Sequence, residues 1–266
     1  MICLSMSRRA FTLVELLVVI AIIGLLSTIA VTSLGTTREK ARIAKGLQYE
    51  SQVYRAVGDD AVALWDFNDC SGTAVADGSG SGNAATVNAG PSWSTNTPNG
   101  TGCAISMNGT SSITIPFLNN FTSTLVYSAW FNSTSATSRT IVASRSTLLR
   151  VSATGIDWWA DVATNPVSVS RAISINTWHQ IVVDQNGTAY SIYLDGSLVG
   201  SGTAPAINNA SSYNAIGFDN YGVGIGWNGL IDNIRVYRRS MTAREIREIY
   251  AEGATGYGRA SLVYND

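Results

Sequence analysis

The chain has 266 residues, 45% of them hydrophobic, and a formal net charge of −1, which is enough for one small and one larger folded unit. That charge balance lacks the basic footprint of a nucleic-acid-binding protein, so no nucleic-acid partner is expected. Both lysines, Lys40 and Lys45, lie early, and no Glu occurs between Ser51 and Arg244. One end is charge-patterned and helical while the middle is rich in Gly, Ser, Thr and Asn, so two modules are expected.

From Phe11 to Val31 the side chains are almost all apolar, and the single charge, Glu15, stands near the start. A helix needs roughly 20 such residues to cross a bilayer, so this run can span one. Arg8 and Arg9 supply a positive cytoplasmic flank, and the small residue Ala10 stands before the run. A secretory signal peptide has its small-residue cleavage site after the apolar stretch, so this order is different.

Arg8-Arg9-Ala10 followed by Phe11-Thr12-Leu13-Val14-Glu15 resembles the leader of type IV prepilins and pseudopilins. The resemblance covers about the first 35 residues. It implies that residues 1–10 are a leader and that a prepilin peptidase cuts between Ala10 and Phe11 on the cytoplasmic side. Phe11 then becomes the methylated N-terminus and Glu15 the fifth mature residue. Ala10 departs from the Gly that the family usually places there. A carboxylate in an apolar helix costs a few kcal/mol unless paired. In a helical homo-oligomer its expected partner is the terminal ammonium of a neighbouring Phe11, which would fix the register of one subunit on the next. The other reading is a plain signal anchor in which Glu15 snorkels to the interface.

Cys3 would leave with the leader, and Cys70 with Cys103 would then form an even pair in an exported segment. A disulfide is expected there, with two buried free thiols as the alternative.

No proline precedes Pro91, and Ile43, Leu47, Val53, Tyr54 and Val57 recur at helical spacings. One helix over 11–56 is predicted, on the order of 70 Å long. Its weak points are Gly24 and Gly35, and Arg38 to Lys45 reads as a solvated face at the membrane surface.

After Gly58 the period becomes two. Ala61–Asn68, Ser111–Ile115, Leu125–Asn132, Arg139–Ser144, Ile181–Asp184 and Ala189–Leu194 read as strands. Asn108-Gly109, Asn186-Gly187 and Asp195-Gly196 are hairpin signals, since both turn positions favour positive φ. Many short strands with such turns predict an antiparallel all-β sandwich.

Three stretches carry a second resemblance. The first is Ala63-Leu64-Trp65-Asp66-Phe67-Asn68 with Ser71-Gly72-Thr73 and Asp77-Gly78-Ser79-Gly80. Another runs from Thr177-Trp178-His179-Gln180-Ile181 to Ile192-Tyr193-Leu194-Asp195-Gly196, and the last from Asn228 to Tyr237 with Met241 to Ile246. Together they look like a laminin G-like domain of the concanavalin A-like jelly-roll class over residues 57–253, followed by a tail over 254–266. The fold class expected is α+β, a long N-terminal helix followed by an all-β jelly-roll sandwich with a short C-terminal helix. The family's helix after the last strand is supplied by a capping box at Thr242 and Glu245, an apolar stripe of Ile246, Ile249 and Tyr250, and Gly253 to close it. The resemblance also implies neighbouring positions for Cys70 and Cys103, and core positions for Trp65, Trp130, Trp178 and Trp227.

Glucanases of this class carry catalytic glutamates on one strand, and the absence of Glu from Ser51 to Arg244 argues against hydrolysis. His179, the only histidine, lies where the family places one structurally, so no catalytic residue is expected. A structural Ca²⁺, common in the family, would be held by Asp66, Asp77, Asn83 and Asp232; otherwise these cap strands and turns. Trp158 and Trp159 are adjacent and face opposite sides of a strand, so one can point to solvent. With Asp157, Asp161 and Tyr221 they form the expected carbohydrate site, core packing of both indoles being the alternative.

These features predict a structural subunit of a type IV pilus-like filament displaying a lectin-like domain for adhesion. Its partners would be copies of itself, prepilin peptidase, the inner-membrane assembly machinery and a glycan, and it would move from inner membrane to cell surface. The alternatives are a pseudopilin of a secretion system and a membrane-anchored glycan-processing enzyme.

Overall fold

The computed structural model describes residues 13–23, 60–88, 90–116, 118, 123–144, 146–207, 213–220 and 225–255. The chain divides into two compact units, Met1–Ser51 and Gln52–Asp266. In the first, residues 13–23 form a helix, α1, whose side chains are exposed all round. Glu15 stands on it. No helix of the described residues is long and apolar enough to cross a membrane. Ala10, Phe11 and the remainder of the expected helix to residue 56 lie outside the described residues.

The second unit holds, among its described residues, the strands β1 (Ala61–Trp65), β2 (Ala74–Val75), β3 (Ala85–Val87), β4 (Ser92–Ser94), β5 (Ala104–Asn108), β6 (Ile113–Thr114), β7 (Thr124–Ser133) and β8 (Arg139–Ser144). They continue as β9 (Thr147–Ser152), β10 (Gly155–Trp159), β11 (Val167–Ser170), β12 (Trp178–Asn186), β13 (Ala189–Leu194), β14 (Ser197–Thr203), β15 (Asn214–Ile216) and β16 (Asn228–Tyr237). A helix, α2 (Ala243–Thr255), follows. The first sheet has the order β14-β13-β12-β7-β16-β5-β4 with β1 also on β16, and the second is β11-β10-β9-β8-β15-β6-β3-β2. Neighbouring strands are antiparallel throughout, as the hairpin-rich sequence requires.

Alternation puts Leu125, Tyr127, Ala129 and Phe131 of β7, and Ile181 and Val183 of β12, into the space between the sheets. They meet Ile141, Leu149, Val151, Ile156, Trp158 and Ile216 of the second sheet. β16 breaks the alternation at a bulge where Asn233 takes φ 46°, so Ile231 and Ile234 both face inward. The expected disulfide joins Cys70 to Cys103 and ties the loop after β1 to the start of β5.

Two of the three hairpin signals hold. Asp195 and Gly196 both take positive φ between the paired residues Leu194 and Ser197. The second turn is shifted by one residue: Asn186 still pairs with Ala189, and Gly187 alone has positive φ. Asn108-Gly109 is no hairpin, because β5 and β6 belong to different sheets. There the Asn108 carboxamide oxygen accepts from Thr110 N and Ser111 Oγ, and the turn carries the chain from one sheet to the other. The strand expected over Ala61–Asn68 ends at Trp65, since Phe67 takes φ 52°.

The outer face of the first sheet is apolar at Val126, Val182 and Tyr237, and α2 covers it with Ile246 and Ile249. Burying two such side chains stabilises the unit by about 1.5–3 kcal/mol each. The capping box forms as expected: Thr242 N donates to Glu245 Oε2 at 2.7 Å and Glu245 N to Thr242 Oγ1 at 3.2 Å. Asp184 on β12 accepts from Ser240 Oγ and Met241 N, pinning the lead-in, and burial pushes its carboxyl up. Gly253 does not close the helix, which continues to Thr255. It lets the helix approach Trp130, where a Cβ would overlap the indole nitrogen. Trp130 is thus buried under α2, stacked on Tyr250 at 5.5 Å, rather than in the core between the sheets. Trp65 and Trp227 are in that core, whereas Trp178 is half-buried with its indole donating to Asn96.

Two predictions follow from this face. Gly253→Ala must displace a packed indole, so stability is expected to fall by roughly 1–3 kcal/mol in chemical denaturation. An unchanged midpoint would mean that the helix has room to spare. Asp232, next to Trp130 in the ladder, is 2% exposed, and burial, with Asp66 adding to it, pushes its carboxyl up to about 8 against one bond from Asn233 N and the charge of Arg235. The native carboxyl therefore keeps its proton where the unfolded one has lost it, from about pH 4 to about pH 8, and stability falls as pH rises through that window. Asp232→Asn is expected to remove this slope and stabilise the protein at pH 8 by on the order of a few kcal/mol. Unfolding curves at pH 5 and pH 8, each with calcium and with EDTA, check it; an unchanged slope in the variant would refute it, and a slope flattened by calcium would mark the carboxylate as a ligand.

Candidate carbohydrate-binding face

Strand parity separates the two adjacent indoles. Ile156, Trp158 and Ala160 face the core, while Asp157 and Trp159 face outward from the second sheet. Trp158 is 1% exposed, donates through Nε1 to Gln185 Oε1 at 2.6 Å, and meets Tyr127 edge-on at 6.0 Å. It belongs to the core, which corrects its place in the expected site. Trp159 is half-exposed.

The pairing register sets a polar row beside it: Thr140 of β8, Arg150 of β9, Asp157 of β10 and Ser168 of β11 stand opposite one another in turn. Residues paired across strands share a face, so all four point outward. Ser168 Oγ donates to Asp157 Oδ1 at 2.6 Å. The Arg150 guanidinium lies 5.1 Å from the centre of the Trp159 ring, a cation–π contact worth about 0.5–1 kcal/mol at an exposed site. Its Nη2 donates to Asp219 Oδ2 at 3.0 Å, and the Thr140 hydroxyl donates to the same oxygen. Asp219 is fully buried in the loop after β15, so this pair fixes the loop and, through the guanidinium, the indole.

Arg150 and Asp219 were not among the residues expected. The signal for Arg150 was its standing as the one charge in Thr147-Leu148-Leu149-Arg150-Val151, whereas Asp219 is 69 residues away and had none. Asp161 turns to its own loop, where Oδ1 accepts from Ala163 N and the carbonyl from Thr164 N. Tyr221 lies outside the described residues.

His179 is placed by its register opposite Phe131, with its Nδ1 2.7 Å from Asp195 Oδ2. Asp195 Oδ1 also accepts from Gln180 N, so the pair ties β12 to the β13–β14 turn. The buried Nε2, the nitrogen that would take a proton from a nucleophile, has no hydrogen-bond partner among the described residues.

The four expected calcium ligands fall into two places. Asp77 is the hub of a loop: Oδ1 accepts from Leu64 N and Ser79 N, and Oδ2 from Ser79 Oγ and Asn83 N. Four donors take up a carboxylate's four lone-pair positions, leaving none directed at a cation. Burial opposes this charge, yet those bonds together hold its carboxyl below the usual carboxylate range. The Asn83 amide donates to Val62 O. Asp66 accepts from Asn68 N in an exposed turn and adds its charge to the environment of the buried Asp232. Among the described residues no three His, Cys, Asp or Glu side chains gather as a metal site would need, so Asp66, Asp77 and Asp232 do not share one centre.

Several solved structures share this fold. Domain 4 of AbnA, an extracellular arabinanase from Geobacillus stearothermophilus solved in complex with arabinotriose, aligns with TM-score 0.60 and 18% identity over 72% of this chain and 98% of that one. The botulinum neurotoxin serotype D binding domain aligns with TM-score 0.57 and 15% identity over 75% of this chain, and the binding domain of Paraclostridial Mosquitocidal Protein 1 with TM-score 0.55 and 14% identity over 73%. This chain spans about half the length of each of those two toxin domains, 52%. At such identities the likeness is one of fold. No curated protein matches the sequence. The prokaryotic N-terminal methylation motif matches residues 5–31. The description "Concanavalin A-like lectin/glucanases superfamily" matches residues 107–247, just over half of the sequence, and the chain belongs to that superfamily.

Proposed function

We propose that this chain is a structural subunit of a type IV pilus-like surface filament, and that its sandwich binds glycans for adhesion through the outer face of the second sheet. The observation that carries the reading is the union in one chain of the methylation motif at residues 5–31 with a lectin-type sandwich. Helix α1 supports it, since a helix that is apolar on every side apart from Glu15 belongs in a membrane or among other helices. Both environments occur in the life of such a subunit, which resides in the inner membrane, is processed there by prepilin peptidase, and then packs with its copies. Glu15 takes the role of register residue, paired with the Phe11 ammonium of a neighbour.

The binding face rests on Trp159, a half-exposed indole held in place by Arg150 and flanked by the Asp157 carboxylate. An aromatic plane beside polar groups suits a sugar, whose CH face stacks while its hydroxyls bond. The role is binding rather than catalysis: the strands carry no Glu, and the Nε2 of His179 is buried with no nucleophile bonded to it among the described residues.

Mass spectrometry of filaments sheared from the cell surface is expected to find a peptide beginning at methylated Phe11. Finding the processed chain only in the envelope would favour a secretion pseudopilin, and an intact Met1 would remove the filament reading. Glu15→Ala is expected to reduce the yield of assembled filament, and normal assembly would dispose of the register role. Trp159→Ala should weaken glycan binding by about tenfold, or about 1.4 kcal/mol, without lowering filament yield; equal binding by both proteins would move the site elsewhere.

A further inference from the structure

The outer face of the second sheet continues past the Trp159 row to β15, β6 and β3. There it opens into a cleft of about 470 Å³ lined by Asn88, Ser112, Thr114, Tyr213 and Asn214 with Ile115 and Ala215. The inward neighbours Ile113 and Ile216 are in the core, so Thr114 and Ala215, paired with each other, face outward. Asn88 is oriented before any ligand arrives, its Nδ2 donating to Ser112 Oγ at 2.8 Å and Thr114 Oγ1 at 3.0 Å. Tyr213 stands at the boundary with the loop after β15, its hydroxyl donating to Phe218 O at 3.4 Å.

We propose that this cleft is a second binding site, taking one or two units of a neutral carbohydrate. Three features set the ligand class. Among the described residues no side chain lining the cleft carries a charge, which suits a neutral ligand better than an anionic or a cationic one. Carboxamides and hydroxyls both donate and accept, which matches the paired character of sugar hydroxyls. The half-buried Tyr213 ring supplies apolar surface for a sugar's CH groups, and the volume falls within the usual range for small-ligand sites.

The cleft is separate from the Trp159 platform. β6 lies four strands from β10, which is about 19 Å at the normal spacing. The loop after β15 stands between them, joined to Arg150 through Asp219 on one side and to Tyr213 through Phe218 on the other.

The test presents full-length chain in detergent micelles to an array of neutral and uronate-containing oligosaccharides, arabinotriose among them. Wild type is compared with Trp159→Ala, Asn88→Ala and the near-isosteric Thr114→Val, an exposed position that leaves the fold intact. The result expected is at least one neutral glycan whose binding survives Trp159→Ala and falls tenfold or more in both cleft variants. Loss of every neutral signal with Trp159→Ala alone would overturn the cleft and leave the platform standing. Signals that ignore Asn88→Ala and Thr114→Val would also overturn it, as would selective retention of uronates. Retention of no glycan by the wild type would remove both sites.

Discussion

A two-sheet sandwich has two outer faces, and the way this chain treats them differently governs the rest of the structure. The first sheet presents Val126, Val182 and Tyr237 outward, an apolar face that water would penalise. α2 lies against it through Ile246 and Ile249, joined by Met241 of its lead-in. Its depth is set by Gly253 against the Trp130 indole and its start by Asp184 and the capping box. β7 is therefore buried on both faces along nearly its whole length. With that apolar patch covered, the second sheet carries the polar outer face on which the proposed ligand contacts lie.

That second face is not a free array of side chains. Asp219 is fully buried and the Arg150 side chain is 15% exposed, and an ion pair with a buried partner repays its desolvation only when the geometry and extra hydrogen bonds are good. Thr140 supplies the extra bond. Replacing such a pair with apolar side chains is often neutral for stability, so its value here is positional: it holds the loop after β15 down and leaves the guanidinium beside Trp159. The desolvated charge under α2, Asp232, has the opposite character. One backbone donor and the charge of Arg235 do not offset its burial, and the group is held neutral.

What the sequence revealed depended on the range of each interaction. The capping box is a four-residue signal, and it formed as read. Arg139–Ser144 and Ala189–Leu194 alternate over six residues each, and β8 and β13 have those bounds. β2, β3 and β6 are two or three residues long, too short to show a period, and passed unseen or were drawn too long. Asn108-Gly109 announced a turn correctly but not its destination, because a local turn signal does not say which sheet receives the next strand. Gly253 read as a helix stop since nothing local reveals an indole that packs against it from β7. Adjacency placed Trp158 and Trp159 on opposite faces, and only the register against Leu149 and Leu148 decided which indole entered the core. The Arg150–Asp219 pair, 69 residues apart, is a product of topology.

In the proposed function the two modules divide the work of binding. A face built on one indole and a few amides and hydroxyls gives a shallow site, and shallow sugar sites are weak. In the proposed filament, a register fixed at Glu15 would repeat that face at constant spacing along the fibre. Effective concentration then does what the single site does not: several weak contacts engaged together raise avidity by factors of about 10² to 10⁴ without any new contact. That gain is lost when the spacing of sites cannot match the spacing of ligands. On this reading the apolar helix contributes to adhesion as directly as the sandwich does, because the helix sets the spacing at which the sandwich is presented.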